Sequence, residues 1–360
     1  MKRRPFLLLC LSVLLLTACV PDPLPDQGGV KVGKGVFVIN EGNYGFANST
    51  LTFYDPTMDT VGNNLFYRAN NGAPIGDTGE SLVLLDGSLY IVVNGSKYIY
   101  KADAKTLFVD TLKPYKLTGF ISPRYMLPVA LDKAYVTDIV SHNLWIINPQ
   151  TMTHTGTVSM GKSTETMVLV GRELYITNWS RYYHQGIMNN SVQVVDIDSD
   201  TKIAEIEVGF EPNGMVVDKN GSIWVLCEGD VNFDTVPSTL WKINAETKSP
   251  TLVKTFEEKA LNLAVDPTGT YLYYLYGVED MSGGNLYRAH VDHPEEEDGF
   301  VILMEGKHFY KVAVDPANGD IYLSDAKNYA MQGTVYRYSS KGELLSSFDA
   351  GISPGFMLFN

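Results

Sequence analysis

Short strands rich in aromatic and β-branched residues recur along this chain at nearly constant spacing, and this repeat limits the possible folds more than any other feature. Seven such segments, from "GVFVINEG" to "DIYLSDAK", begin at residues 35, 88, 133, 173, 222, 271 and 320. Weaker apolar strands flank each copy, and Asp, Asn, Pro and Gly separate them. A spacing of 40 to 53 residues is typical of the four-stranded blade of a β-propeller.

The two ends of the repeat complement each other. The first copy has no apolar strand before it, and "GFMLF" at residues 355–359 follows the last copy without a partner. Pairing these two segments closes a ring and leaves no long sheet edge exposed. We therefore predict an all-β, seven-bladed β-propeller over residues 34–360, closed by the C-terminal strand joining the first blade.

The residues before the repeat have the features of an export sequence. Lys2, Arg3 and Arg4 precede an apolar run that ends in "LTAC" at Cys19. This pattern predicts a lipoprotein signal peptide over residues 1–18 and lipidation of Cys19. Residues 19–33, rich in Pro and Gly, are predicted to be a flexible tether. The motif leaves open which side of the membrane the protein faces.

Composition and motifs argue against several classes of function. A formal net charge of −13 makes nucleic acid an unfavourable partner. Cys227 is the one cysteine within the repeat, so no internal disulfide is possible there, and its apolar surroundings predict a core residue. "DVNFD" at residue 230 lacks the glycine and glutamate of a calcium loop. We predict no catalytic residues, no metal site, no cofactor and no enzymatic activity.

Propeller geometry assigns the loops to two unlike faces. The turns between the first and second and between the third and fourth strands of each blade are short and polar, as in "DPTG" and "NPQT"; we call this side the turn face. The loops on the opposite side are long and contain aromatic and amide side chains, as in "NEGNYGFANS" and "NWSRYYHQGIMNNS". Long loops on a rigid scaffold commonly carry function. We call this side the mouth and expect it to bind a ligand.

The first three blades carry motifs of a known family. "VINEGNYGFANSTLTFYD", "IGDTGESLVLLDGSLYIVVNGSKYIYKADAKT" and "ISPRYMLPVALDKAYVTD" resemble the YncE-like propeller lipoproteins that carry the DUF5074 domain. Within that family the sequence is similar to BtuG-type surface lipoproteins. The resemblance implies capture of cobalamin (vitamin B12) or a related corrinoid and its transfer to a TonB-dependent, BtuB-type outer-membrane transporter. It also implies a lipid-anchored protein of the outer membrane that faces the extracellular side.

A corrinoid is a large ligand with a flat apolar ring fringed by amides, so aromatic, amide and charged residues of the mouth are the candidates to bind it. The predicted ligand-binding residues are Glu41, Asn43, Tyr44, Asn94, Arg124, Tyr125, Trp179, Arg181, Tyr182, Glu228, Tyr276 and Tyr329. Three alternatives remain open: a surface binder of glycan or peptide, a lipid-anchored lactonase or lyase, and a protein-docking scaffold.

Overall fold

Seven antiparallel sheets form the molecule, and the innermost strands of successive sheets contact one another around a central channel. The computed structural model describes residues 30–110, 114–180, 189–230, 236–279, 282–296 and 298–360. Six sheets have four strands and one has three. The predicted all-β, seven-bladed β-propeller is confirmed.

The strands follow one another in chain order, and the one helix among the described residues, α1, is short and lies between β3 and β4. They are β1 Val36–Asn40, β2 Thr50–Asp55, β3 Thr60–Gly62, α1 Leu65–Ala69, β4 Gly79–Leu85, β5 Ser88–Val93, β6 Tyr98–Asp103, β7 Pro123–Ala130, β8 Lys133–Asp138, β9 Asn143–Asn148, β10 Thr153–Ser159, β11 Met167–Val170, β12 Glu173–Thr177, β13 Ser191–Asp196, β14 Thr201–Glu207, β15 Pro212–Val217, β16 Ile223–Cys227, β17 Thr239–Ile243, β18 Pro250–Thr255, β19 Ala260–Val265, β20 Tyr271–Glu279, β21 Ser282–His290, β22 Val301–Ile302, β23 Phe309–Val314, β24 Ile321–Asp325, β25 Gln332–Tyr338, β26 Leu344–Ile352 and β27 Pro354–Phe359.

The C-terminal strand closes the ring. Strand β27 pairs with β1, with Phe359 opposite Val36 and Met357 opposite Val38, and becomes the innermost strand of blade 1. Blades 2 to 7 then begin at β4, β7, β11, β15, β19 and β23. Both ends of the chain therefore contribute to one sheet, as the sequence predicts.

The core lies between adjacent blades. The second strand of each blade is almost wholly buried, as in β1, β16 and β24, because it is covered by a neighbouring blade on each side. Trp224 in β16 is fully buried, and its indole nitrogen donates to Asp218 at 2.9 Å. Cys227 at the end of the same strand is also buried, and burial raises the pKa of its thiol. The predicted core position of Cys227 is confirmed.

Bulges interrupt the innermost strands close to the mouth. The pairing register shifts there in six of the seven blades, leaving one or two residues of the inner strand without a direct partner. Those residues are Gly355, Glu80, Arg124 with Tyr125, Asn213, Asn262 and Tyr310. Because a bulge redirects a side chain from the plane of its sheet, this repeated irregularity sets which residues reach the channel.

The described chain begins at the turn face. The backbone amide of Val32 donates to the carbonyl oxygen of Lys105, in the turn that ends β6, at 2.8 Å. Asn360 donates to the carbonyl oxygen of Gly33 at 2.7 Å. Among the described residues, no helix has the length and apolar character needed to span a bilayer. The segment before residue 30, including Cys19, lies outside the described residues.

Candidate functional site at the propeller mouth

A polar cavity of about 230 Å³ lies at the centre of the mouth. Blades 2 to 7 contribute residues of their innermost strands, or of the segments that lead into those strands, to the lining of the cavity. Blade 1 contributes the loop after β1. Its lining includes Glu41, Tyr44, Glu80, Asn94, Arg124, Glu165, Trp179, Asn213, Glu228, Asn262, Tyr310 and Lys311. A second cavity of about 180 Å³ shares several of these residues, and its lining also includes Tyr125 and Phe356.

Arg124 connects three blades across this cavity. Its Nε and Nη2 atoms donate to the two carboxylate oxygens of Glu165, each at 2.8 Å, and its Nη1 donates to Glu80. The guanidinium group also lies 5.7 Å from the ring centroid of Trp179. A planar guanidinium held by a bidentate pair, a second carboxylate and an aromatic ring has little rotational freedom. The wall of the cavity is therefore rigid at this point.

A second polar pair joins blade 1 to blade 7. The hydroxyl group of Tyr310 contacts both carboxylate oxygens of Glu41, at 2.8 and 3.0 Å. Lys311 follows Tyr310, and its ammonium group lies 4.9 Å from the Tyr310 ring centroid. The loop after β1 is thus held to β23 by side chains that face the cavity.

Burial changes the ionisation of these groups. Burial, with repulsion from Glu41 and Glu165, raises the pKa of Glu80 to about 8. These effects together outweigh the attraction of Arg124, which lowers the pKa. Burial also raises the pKa of Glu41, against the attraction of Lys311 and the hydrogen bond from Tyr310. Burial likewise raises the pKa values of Tyr125 and Tyr310 well above the usual value for tyrosine. The cavity is consequently a low-dielectric environment that disfavours additional negative charge.

The rim of the mouth carries exposed aromatic residues on a braced loop. Tyr44 and Phe46 are 82% and 75% exposed. The backbone amide of Gly45 donates to the carboxylate of Asp77 at 2.9 Å, and the side chain of Asn43 donates to the carbonyl oxygen of Tyr329. The loop therefore holds two apolar rings in water next to the polar cavity.

The structure brings six of the twelve predicted binding residues to the cavity. Glu41, Tyr44, Asn94, Arg124, Trp179 and Glu228 line it, and Tyr125 lines the second cavity.

Three other predicted residues lie apart from both linings. Asn43 and Tyr329 brace the rim loop, and Tyr276 packs against Phe256 and Tyr287 in blade 6. Arg181 and Tyr182 lie outside the described residues.

Ten lining residues were not predicted, and five of them share one position in their blades: Glu80, Glu165, Asn213, Asn262 and Tyr310. These five occur at the start of an innermost strand or immediately before it, and four are bulge residues. In the sequence, these residues share a pattern: a polar residue or a tyrosine occurs just before the apolar core of the first strand and recurs from blade to blade. This pattern could have predicted them.

The described residues include one group with the spacing of metal ligands. His293, Glu295 and Glu296 lie close together in an exposed turn after β21, away from the mouth. Exposed acidic groups commonly occur without an ion, so this group is not a basis for assigning a metal centre.

The family described as domain of unknown function (DUF5074) matches residues 34–356. No curated protein matches the sequence.

Several solved structures share the fold. A quinonprotein alcohol dehydrogenase-like protein from Bacteroides thetaiotaomicron superposes with a TM-score of 0.69 at 15% identity, covering 91% of this chain and 78% of that protein. A protein from Bacteroides fragilis, provisionally described as a 6-phosphogluconolactonase, gives 0.66 at 11% identity and covers 91% and 98%. The periplasmic gluconolactonase of Pseudomonas aeruginosa gives 0.65 at 14% identity and covers 91% and 99%.

These structures contradict the prediction that the chain is not an enzyme. That prediction relied on the absence of recognisable catalytic motifs, yet a gluconolactonase has the same fold over nearly its whole length. At such low sequence identity, the structural similarity shows only that the fold is shared, and it does not assign a reaction to this chain. The exclusion of catalysis is therefore withdrawn.

Proposed function

The chain belongs to the DUF5074 family, and from that premise we propose that it captures cobalamin or a related corrinoid at the mouth and passes it to a TonB-dependent, BtuB-type transporter of the outer membrane. The observation that carries the proposal is the pairing of exposed aromatic side chains on a braced rim with a rigid polar cavity beside them. A flat apolar ring fringed by amides is complementary to both surfaces.

The exposed rings support a large apolar contact. Tyr44 and Phe46 are held in water by hydrogen bonds of their own loop, and apolar groups held in water in this way often mark a binding surface. Because the loop is already ordered, little conformational entropy is lost when a ligand covers it. The flat face of a corrin ring suits this contact.

The size of the cavity supports a ligand that is only partly enclosed. Its volume of about 230 Å³ is below the range of roughly 300–1,000 Å³ found for sites that surround a drug-sized ligand. A corrinoid therefore lies across the mouth and places one peripheral group in the cavity. Such an arrangement also leaves much of the ligand accessible to a receiving transporter.

The proposed membrane anchor is compatible with this arrangement. The described chain begins at the turn face, where Val32 is hydrogen-bonded to Lys105. A lipid on Cys19 would connect to the propeller on the side away from the mouth. The mouth would then stay open to the surroundings of the membrane on which the protein is anchored.

The test is calorimetric titration of the full chain, in detergent, with cyanocobalamin. We expect saturable one-to-one binding that is at least tenfold weaker in Tyr44→Ala. The matched control is Met58→Ala, because Met58 is 70% exposed on the turn face and its replacement removes a similar exposed apolar group. Absence of binding heat, together with failure of the coloured ligand to co-elute with the protein, would remove corrinoids as the ligand.

A second candidate function is hydrolysis of a small lactone, and the ionisation of Glu80 favours it. With a pKa of about 8, Glu80 holds its proton at neutral pH and lies beside Arg124 in the cavity. A carboxyl group in this state can protonate the ring oxygen as the ring carbon–oxygen bond breaks, while water adds to the carbonyl carbon and returns a proton to the carboxylate, which yields the hydroxy acid. The test is a panel of sugar lactones with the full chain and with Glu80→Gln. A rate that exceeds the uncatalysed rate only when Glu80 is present would support this function.

A further inference from the structure

The cations of the central cavity are already engaged by groups of the protein. Arg124 uses its Nε, Nη1 and Nη2 atoms on Glu165 and Glu80. Lys311 lies over the ring of Tyr310, and among the described residues it forms no ion pair with a carboxylate. An anionic ligand group would therefore meet one uncommitted cation at most.

Carboxyl groups outnumber cations on the described wall. Glu41, Glu80, Glu165 and Glu228 line the cavity together with Arg124 and Lys311. Each carboxylate has about four lone-pair positions. Tyr310 donates to Glu41, and Asn213 donates to Glu228 at 2.5 Å, so acceptor capacity remains on both.

Each amide group on the wall donates to a group of the protein. Asn94 donates to the hydroxyl oxygen of Ser122 and to the carbonyl oxygen of Pro123, at 2.8 and 3.0 Å. Asn262 donates to the carbonyl oxygen of Tyr310 at 2.7 Å. The described wall therefore offers a ligand the acceptors of Glu41 and Glu228 together with a few donors, among them the Lys311 ammonium and the indole nitrogen of Trp179, which is buried without a hydrogen-bond partner.

We infer that this cavity is a subsite for a neutral hydrogen-bond donor of the ligand, a primary amide above all, and that it rejects a carboxylate at the same position. An amide N–H₂ group supplies donors to the carboxylates, and its carbonyl oxygen can accept from Lys311. A carboxylate would lose its hydration in a cavity that already holds four carboxyl groups, which costs far more than burial of a hydrogen-bonded amide. A free ammonium group has no oxygen atom to accept from Lys311 and would lie beside the positive charge of that side chain.

The raised pKa values of Glu41 and Glu80 support the same conclusion independently of any ligand. Burial penalises the charged form of carboxylates that belong to the protein itself. An added carboxylate of the ligand would experience the same penalty.

This inference deepens the proposed function, but its test does not require cobalamin. The full chain in detergent is labelled with carbon-13 at isoleucine and leucine methyl groups, and it is titrated separately with propionamide, propionate and propylammonium. Ile139 and Leu261 line the cavity and report on its occupancy. Leu344, which is 57% exposed on the outer strand β26, reports on non-specific effects.

We expect saturable shifts of Ile139 and Leu261 with propionamide, and at least tenfold weaker binding of propionate and of propylammonium. The Glu228→Gln variant should reduce the preference for the amide over propionate, because it removes one carboxylate and keeps an acceptor for Asn213. The control Glu343→Gln, in an exposed turn on the turn face, should leave the preference unchanged.

Each of the other outcomes has a definite meaning. Propionate or propylammonium binding as tightly as propionamide, or absence of saturable shifts with all three, overturns the subsite. A clear amide preference without cobalamin binding supports the subsite and removes corrinoid capture. Cobalamin binding without the amide preference supports capture and overturns the subsite.

Discussion

Arg124 on blade 3 donates to both carboxylate oxygens of Glu165, which precedes the first strand of blade 4, at 2.8 Å each. The same guanidinium also contacts Glu80 of blade 2. Glu165 and Glu80 are 1% and 7% exposed, so both buried carboxyl groups depend on Arg124 as their hydrogen-bond donor. One side chain thus links the ionisation of the cavity to the packing of three blades.

Replacing Arg124 by Met should destabilise the fold by about 3–5 kcal/mol, because it leaves two buried carboxyl groups without their cation. Urea unfolding at neutral pH measures the change. In the triple variant Glu80→Gln/Arg124→Met/Glu165→Gln the two buried carboxyl groups are also removed, and most of the stability should return. A triple variant no more stable than Arg124→Met would show that lost packing, and not the unpartnered carboxyl groups, is the cause.

Stability should fall as pH rises from about 4.5 to about 8, owing to Glu80. Its pKa is 4.5 when unfolded and about 8 when folded, so within this window the folded state retains a proton that the unfolded state releases. The stabilisation is complete below pH 4.5 and is lost as pH rises through 8. Glu41, whose pKa is also raised, contributes in the same direction.

The measurement is the free energy of unfolding of the wild type and of Glu80→Gln at about pH 5, 6.5 and 8. The difference between the two proteins should shift steadily in favour of Glu80→Gln as pH rises. A difference that stays constant over this range would mean that Glu80 has an ordinary pKa in the folded protein.

Replacement of the exposed aromatic residues of the rim should weaken ligand binding and leave the stability of the fold nearly unchanged. Because Tyr44 and Phe46 are largely exposed, Tyr44→Ala and Phe46→Ala should change the free energy of unfolding by less than about 0.5 kcal/mol. Each should weaken binding of cyanocobalamin about tenfold or more, since an aromatic ring covered by a ligand commonly contributes over 1 kcal/mol. Equal affinity of both variants and the wild type, measured by calorimetry, would exclude the rim from the binding surface.

Removal of the closing strand should prevent formation of a stable ring. A chain that ends at Ser353 lacks β27, leaving β1 with an unpaired edge and exposing the blade 1 core around Phe37 and Ile39. We expect loss of a cooperative thermal transition and a tendency to aggregate. A chain that lacks Asn360 alone retains β27 and should unfold cooperatively. Cooperative unfolding of both chains would show that the ring is stable without its closure.

Much of the fold was predictable because its determinants are local in sequence. The apolar alternation that forms each strand and the Asp and Asn residues that cap its turns occur within segments of a few residues. Asp55, for example, accepts hydrogen bonds from the backbone amides of Thr57 and Met58, and Asp103 does the same for Lys105 and Thr106. Repeated seven times, such patterns determine the number of blades.

The mouth was predictable only as a surface. The sequence identified the loops that face it and the residues Glu41, Tyr44, Arg124 and Trp179, which line the cavity. It also selected Tyr276, a residue of the right type whose ring packs within blade 6. Residue type and loop length do not reveal whether a side chain points towards the channel or towards a neighbouring blade.

The sequence alone determined the repeat, the strand pattern and the complementary ends, because these depend on residues that are close together in the chain. Only the tertiary structure decided that Glu80, Glu165 and Tyr310 face the same cavity as Arg124. These residues come from separate blades, and their direction depends on pairing register, on bulges and on closure of the ring. The ionisation of Glu80 likewise arises only after folding, when burial and four charged groups distant in sequence act on one carboxyl group.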